Sequence, residues 1–352
     1  MTYKQTMIIT YEILSGGSEL NALKVTKHLN NNYFWISLGP KRSLKEFKNK
    51  NIKKFYFLNF NISRCLTSII KIIKIIKQKK ISTIYAIGLY PGLIASAVKI
   101  FCKVKIVTTK RNEINLFNKI KYFPALLFMN YMSDIIETNS LNLFNRFRHN
   151  YFLKKKIVFV NNIIEKEIYT GKKKFLLSKE ELKNTKIIGM ALNIRPVKDP
   201  LLIKDIIDII LKKNLFKFLI VGRDKNNFWK KLVKKYKNKI YWQDSLSSKK
   251  MKNFYKTIDI LLITSKSEGS PNIVPEAFAN EVPVATVPIS AIKGIVINKF
   301  NGSISKNRNP HELVKSIIYI KNNLEKLKRN SKLFFEEKFI FKKTIKKISK
   351  YI

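Results

Sequence analysis

Two glutamates eight positions apart, Glu268 and Glu276, carry the clearest chemical pattern in this chain. They lie in the run Ser265-Lys266-Ser267-Glu268-Gly269-Ser270-Pro271-Asn272-Ile273-Val274-Pro275-Glu276-Ala277, behind the apolar residues 260–263. The pattern predicts a buried strand, a glycine-containing loop and the start of a helix. In a parallel α/β sheet ligands bind at such a junction, which offers free backbone N–H groups and the positive end of a helix dipole. Glu276 falls in the first helical turns. The two acceptor oxygens of a carboxylate suit a pair of neighbouring hydroxyls such as those of ribose, and the N–H groups suit phosphate. The segment fits a nucleotide whose far end carries a polar group.

Other residues could complete such a site. Lys198 lies in a predicted loop between a strand and a helix, where a lysine reaches a diphosphate as a point charge, and Arg195 could add a planar fork. Gly16 and Gly17 stand between a predicted strand and helix, with Glu19 in the helix's first turn. Arg111 and Asn112 follow another predicted strand. Hydrolase and NTPase chemistry find no support, because neither Gly-x-Ser-x-Gly nor a glycine-rich Walker loop is present. The three histidines are widely spaced, there are two cysteines, and no Asp-x-Asp pair occurs, so no metal site is expected.

These residues need a scaffold, and strand-like and helix-like runs alternate to supply it. Strands are expected over 7–13, 33–37, 54–58, 83–87, 105–108, 135–138 and 157–160, with helices over 18–29, 66–76, 93–101 and 123–132. A second series follows. Its strands are expected over 186–192, 216–221, 240–242, 258–264 and 282–286, and its helices after Pro200 to 212 and over 251–257, 310–322, 324–337 and 341–350. Two such series predict an α/β protein of two facing doubly wound, Rossmann-like domains with a cleft between them. The expected divisions are an N-terminal domain over 1–165, a linker over 166–185, a second domain over 186–335, and a basic C-terminal helix over 336–352. The N-terminal domain is that helix's candidate packing partner.

The chain has 352 residues and a net charge of +47, from 70 Lys and Arg against 23 Asp and Glu. Nucleic acid, an anionic membrane surface and plain composition bias all compete to explain it. The lysines are spread along the whole chain and the sequence signatures of nucleic-acid binding modules are missing, which favours bias. Attraction to an anionic membrane remains compatible with it. Residues 81–98 carry no charge, which reaches the length of a short spanning helix. Gly88, Pro91, Gly92 and Ser96 interrupt that run, so a buried strand followed by a core helix is expected instead. The two cysteines and the lack of a signal-peptide pattern point to a reducing, cytoplasmic setting.

Taken in order, these pieces resemble the family-4 glycosyltransferases, which have the GT-B architecture. Gly16-Gly17-Ser18-Glu19 is similar to that family's Gly-Gly-x-Glu turn, and Lys198, Gly222, Asp259 and Ser265 match single landmarks. Glu268 to Glu276 matches its Glu-x7-Glu signature. The resemblance implies retaining transfer of a hexose or N-acetylhexosamine from a nucleotide-sugar to a glycan or lipid-linked acceptor in cell-surface polysaccharide synthesis. It implies neither metal nor resident cofactor, and a cytoplasmic protein that is soluble or peripheral on the inner face of the membrane. By resemblance, Glu276 binds the ribose and Glu268 lies near the donor sugar. Gly269, Ser270, Pro271, Asn272 and Ile273, with Gly222 and Asn193, serve the donor. Lys198 and Arg195 face the leaving diphosphate. Gly16, Gly17, Glu19, Arg111 and Asn112 serve the acceptor side. The chain departs from the pattern where Asn193 replaces an arginine, Glu281 a glycine, and Ile289-Ser290 a Gly-Gly pair. A nucleotide-sugar epimerase and a non-enzymatic nucleic-acid or scaffold protein are the alternatives.

Overall fold

The computed structural model describes residues 5–11, 17–26, 33–39, 54–110, 122–164, 176–182, 185–212, 214–339 and 341–352. Contacts divide the chain into two units, Met1–Ile163 with Phe341–Ile352, and Ile164–Ile340. The first unit holds strands β1 (Gln5–Thr10), β2 (Tyr33–Ser37), β3 (Phe55–Phe57), β4 (Ile81–Ile87), β5 (Lys105–Lys110), β6 (Ile135–Thr138) and β7 (Ile157–Phe159). They form one parallel sheet in the order β3-β2-β1-β4-β5-β6-β7. Its helices include α1 (Gly17–Thr26), α2 (Cys65–Lys79), α3 (Leu89–Phe101), α4 (Phe123–Met132) and α5 (Leu141–Arg148). The uncharged run over 81–98 becomes β4 and most of α3, broken at Gly88, whose φ is +100°.

The second unit holds β8 (Lys186–Ala191), β9 (Phe216–Val221), β10 (Ile240–Gln243), β11 (Ile260–Ile263), β12 (Val284–Thr286) and β13 (Gly302–Ile304). These are parallel in the order β10-β9-β8-β11-β12-β13. Its helices are α6 (Lys179–Leu182), α7 (Pro200–Leu211), α8 (Phe228–Lys235), α9 (Ser248–Thr257), α10 (Ile273–Ala279), α11 (Pro310–Asn322) and α12 (Leu324–Lys338). A parallel sheet covered on both faces needs strands that are apolar on both sides. β11 meets that need: Ile260 and Leu262 join one core, Leu261 and Ile263 the other.

In both sheets the strand order reverses beside the first strand, between β1 and β4 and between β8 and β11. Ligands of open α/β sheets bind at the carboxyl ends of strands at such a switch point. The loop carrying Lys198 follows β8 and the loop carrying Glu268 follows β11, so topology puts both at the switch of the second sheet.

The expected boundary at 335/336 falls inside α12. Buried Phe334 and Phe335 keep that helix going to Lys338, packed on Phe278 and Phe339. The next helix, α13 (Phe341–Ile348), belongs to the first unit, where Ile348 and Tyr351 join the core of Ile8, Tyr85 and Val107. Glu137, wholly buried in β6, accepts hydrogen bonds from Tyr85 Oη at 3.0 Å and Tyr351 Oη at 2.7 Å. A buried carboxylate is costly without donors, so this contact fixes the C-terminal segment as well as the charge.

Lys110 ends β5 with its ammonium 4.8 Å from the centre of the Phe147 ring. Burial lowers its pKa from the ordinary 10.5 to about 8. A lysine depressed in the folded state weakens the fold while protonated. The penalty is full below about pH 8 and fades as the pH rises toward 10.5. Lys110→Met is therefore expected to stabilise the protein by roughly 1–3 kcal/mol at neutral pH. That gain should shrink toward zero by pH 10.5, as urea unfolding of both chains at several pH values would measure.

Candidate functional site

The site is built from three loops of the second unit. After β8 the chain runs through Asn193 and Arg195 into a short 3-10 turn, Pro196–Lys198. Asp199 follows in the left-handed region, with φ +58°, and Pro200 starts α7. The backbone of this loop is pinned from the loop after β11. Thr264 Oγ1 donates to Lys198 O at 2.8 Å, and Lys266 N donates to Val197 O at 2.7 Å. It is also braced from the loop after β9, where Arg223 N donates to Asn193 Oδ1 at 2.9 Å. Asn193 is exposed and its carboxamide oxygen is engaged in that brace.

With its backbone held, Lys198 directs its ammonium onto Glu268 Oε1 in an ion pair. Ser265 Oγ donates to the same oxygen at 2.6 Å. Glu268 Oε2 receives no hydrogen bond among the described residues. The pair is about four-fifths buried, with side-chain exposures of 20% for Lys198 and 18% for Glu268. Interactions at such a site are screened less than at an open surface. Arg195, three residues from Lys198, is exposed.

Glu276 occupies the fourth position of α10 and is half-buried. Tyr255, wholly buried in α9, donates its hydroxyl to Glu276 Oε2 at 2.8 Å. Burial, and then the neighbouring Glu276 carboxylate, push the Tyr255 hydroxyl well above the usual phenol range. It therefore stays protonated and acts as a fixed donor that aims the carboxylate. Gly269, Ser270, Pro271, Asn272 and Ile273, between the two glutamates, are half-buried. Val274 N to Pro271 O at 3.2 Å and Glu276 N to Asn272 O at 3.1 Å close the first turn.

Two positioning residues escaped the sequence reading. One is Tyr255. The other is Arg308, between β13 and α11, which donates to Asp199 Oδ2 at 2.5 Å, Thr264 O at 2.8 Å and Ser265 O at 2.9 Å. This guanidinium ties the loop after β8 to the loop after β11, so it holds Lys198 and Glu268 in register. No local spacing announces either residue, since their partners are far away in the chain.

The departures from the family pattern have local explanations. Glu281 follows α10 with φ +63°, where glycine is easiest to place and a side chain costs about 1–2 kcal/mol. Ile289 is extended, with φ −131°, a conformation open to any residue. In the first unit, Gly17 begins α1 and Glu19 sits half-buried in its first turn. Gly16, Arg111 and Asn112 lie outside the described residues. Among the described residues no group of three His, Cys, Asp or Glu side chains could hold a metal ion.

Residues 172–333 match a family model described as glycosyl transferases group 1, which spans most of the second unit. Over most of its length the chain is similar to an uncharacterized glycosyltransferase of Methanocaldococcus jannaschii. The two are 25% identical over 95% of this chain and 93% of that protein. Among solved structures, a glycosyltransferase from Rickettsia africae superposes with a TM-score of 0.81 at 21% identity, covering 99% of this chain and 97% of that one. The Anabaena protein HepE, solved with UDP and glucose, gives 0.80 at 13% identity, covering 99% and 98%. The family model and the relative support a glycosyltransferase, and the two parallel sheets with the solved structures show the two-domain, Rossmann-like GT-B fold.

Proposed function

We propose that the chain transfers a hexose or N-acetylhexosamine from a nucleotide-sugar to a glycan or lipid-linked acceptor, in the manner of family-4 enzymes making cell-surface polysaccharide. The carrying observation is the convergence of Lys198, Ser265 and Glu268 at the switch point, with Glu276 aimed by Tyr255 on the helix that follows. Glu276 takes the ribose hydroxyls. Lys198 faces the diphosphate, where negative charge grows as the sugar leaves. Glu268, with Oε2 open, faces the sugar.

The bond from the anomeric carbon to the phosphate oxygen breaks while the acceptor oxygen bonds to that carbon on the same face. The acceptor proton passes to the departing phosphate oxygen. This route keeps the anomeric configuration and needs no protein nucleophile. It needs no divalent metal either, because Lys198 supplies the countercharge. Gly16, Gly17, Glu19, Arg111 and Asn112 are the proposed acceptor side, and the protein would work in the cytoplasm.

Calorimetric titration with UDP-, GDP- and ADP-sugars tests the donor site, UDP first because HepE was solved with it. Glu276→Ala is expected to weaken the preferred donor by about 10- to 100-fold, the worth of hydrogen bonds to a charged group. Unchanged affinity in that variant would remove Glu276 from the site. Tyr255→Phe separates aim from contact and should weaken binding by less than Glu276→Ala. Proton NMR of the product linkage, with and without EDTA, tests retention and metal independence.

A further inference from the structure

Helix α4 has the sequence FPALLFMNYM, ten residues without a charge in a chain that is 26% charged. Only Met129 is fully buried there. Phe123, Leu127 and Tyr131, four positions apart, form one stripe that is 58%, 52% and 79% exposed. Helical residues at that spacing share a face. The turn before β7 adds Tyr151 and Phe152, 76% and 80% exposed. Asn150 Oδ1 accepts the N–H groups of Phe152 at 3.0 Å and Leu153 at 3.2 Å, so the turn that presents these rings is built in place.

A hydrogen bond and a cation–ring contact join the two patches. Lys156 Nζ donates to Tyr131 O at 2.8 Å, and its ammonium stands 5.8 Å from the centre of the Tyr131 ring. Lys154 lies 4.9 Å over the Tyr151 ring. On the other side Lys99 Nζ donates to Met132 O at 2.9 Å, two residues before Phe101, which is 65% exposed. These segments lead into β5, β6 and β7, so their contacts gather at the amino edge of the first sheet, the edge opposite its switch-point loops.

Lysines dominate the charge of the region. No acidic residue occurs between Glu46 and Glu113. Asp134, beside this edge, is paired with Lys99 at 2.6 Å. Exposed aromatic rings interleaved with lysines suit a bilayer interface, where rings sit at headgroup level and lysine stems reach anionic lipid. Among the described residues no helix is long and apolar enough to cross a membrane, so the contact lies on the surface. We propose that the exposed face of α4 and the Tyr151–Phe152 turn dock the protein on an anionic lipid bilayer. A nucleic acid would match the charge but leave the uncharged Phe123–Leu127 stripe without a partner.

The test is flotation of the full chain with phosphatidylglycerol-containing vesicles at about 0.15 M salt, against pure phosphatidylcholine vesicles. Wild-type chain is expected on the anionic vesicles only. Tyr151→Ser/Phe152→Ser, and separately Leu127→Ser, should cut the bound fraction about tenfold. Leu201→Ser, at a leucine of the second unit that is more exposed than Leu127, should leave it unchanged. The replaced groups are exposed, so thermal melting should stay at wild-type values. The proposal is overturned if wild type fails to float, if the two surface variants bind as wild type, or if Leu201→Ser loses binding equally. Capture by RNA with no vesicle binding overturns it too. Nucleotide-sugar binding plays no part in this readout, so it stands or falls apart from the donor site.

Discussion

Replacing Lys198 with alanine should lower kcat by about a hundred- to a thousandfold, the usual loss when one preorganised donor is removed from developing negative charge. The loop itself should survive. Its backbone is held by Thr264 to Lys198 O and by Lys266 to Val197 O, and Arg308 binds Asp199 next door. None of these contacts uses the Lys198 side chain. What changes is Glu268, which keeps Ser265 and loses its cation, leaving a four-fifths-buried carboxylate less compensated. Donor affinity should fall less than kcat, because the ribose contact proposed for Glu276 would remain. Lys198→Arg should recover little, since a planar fork cannot take the place of a point charge within this geometry. Steady-state transfer with a titration of the free nucleotide separates the two effects. A kcat within tenfold of wild type would reduce Lys198 to a structural partner of Glu268.

The parts of the site that could be read from sequence are those written in one short stretch. Glu268 and Gly269 to Asn272 lie between one strand and one helix, and Glu276 in that helix's first turn, so local pattern alone places them at a strand end. Lys198 was legible for the same reason, after β8. Tyr255 and Arg308 were not, because they act through partners in other elements: Tyr255 reaches Glu276 from α9, and Arg308 reaches Asp199 from beyond β13. The same division holds for the fold. The run over 81–98 could be split correctly because glycines and a proline mark the break. By contrast, α5 went unread. Its sequence, LNLFNRFR, is short and contains two asparagines, weak helix formers. Ser140 Oγ caps it by accepting Leu143 N at 3.3 Å, and Leu143 is its buried contact. β13 has three residues, too few for any alternation to register, and exists by pairing with β12. The expected domain boundary at 335/336 fell inside α12, because Phe334 and Phe335 are buried within that helix and hold it together across the division.

Gly222→Ala is expected to be the most destabilising single change in the second unit, by about 3–5 kcal/mol. Gly222 follows β9 with φ +146°, where L residues are rarely found. An added Cβ would lie 1.8 Å from Leu192 O and 2.4 Å from its carbonyl carbon, both backbone atoms. Neither side can yield cheaply. Gly222 N donates to Gln243 O at 3.0 Å, Trp242 Nε1 donates to Gly222 O at 2.9 Å, and Leu192 N donates to Val221 O at 2.8 Å. Relief of the clash would part the ends of β8, β9 and β10 together. Asn193 follows Leu192 directly and braces the loop leading to Lys198, so donor binding should weaken in whatever folded protein remains. Gly88→Ala provides the comparison. Its φ is +100°, but a Cβ there would meet only Pro91 Cδ at 3.9 Å, leaving conformational cost without a clash. That variant should lose about 1–2 kcal/mol. Thermal unfolding of both chains reads the difference, with Gly222→Ala melting roughly 10 °C below wild type and Gly88→Ala well above it. If the two melt together, backbone conformation rather than the approach to Leu192 sets the requirement for glycine, and the close packing of the two strand ends is softer than the distances imply.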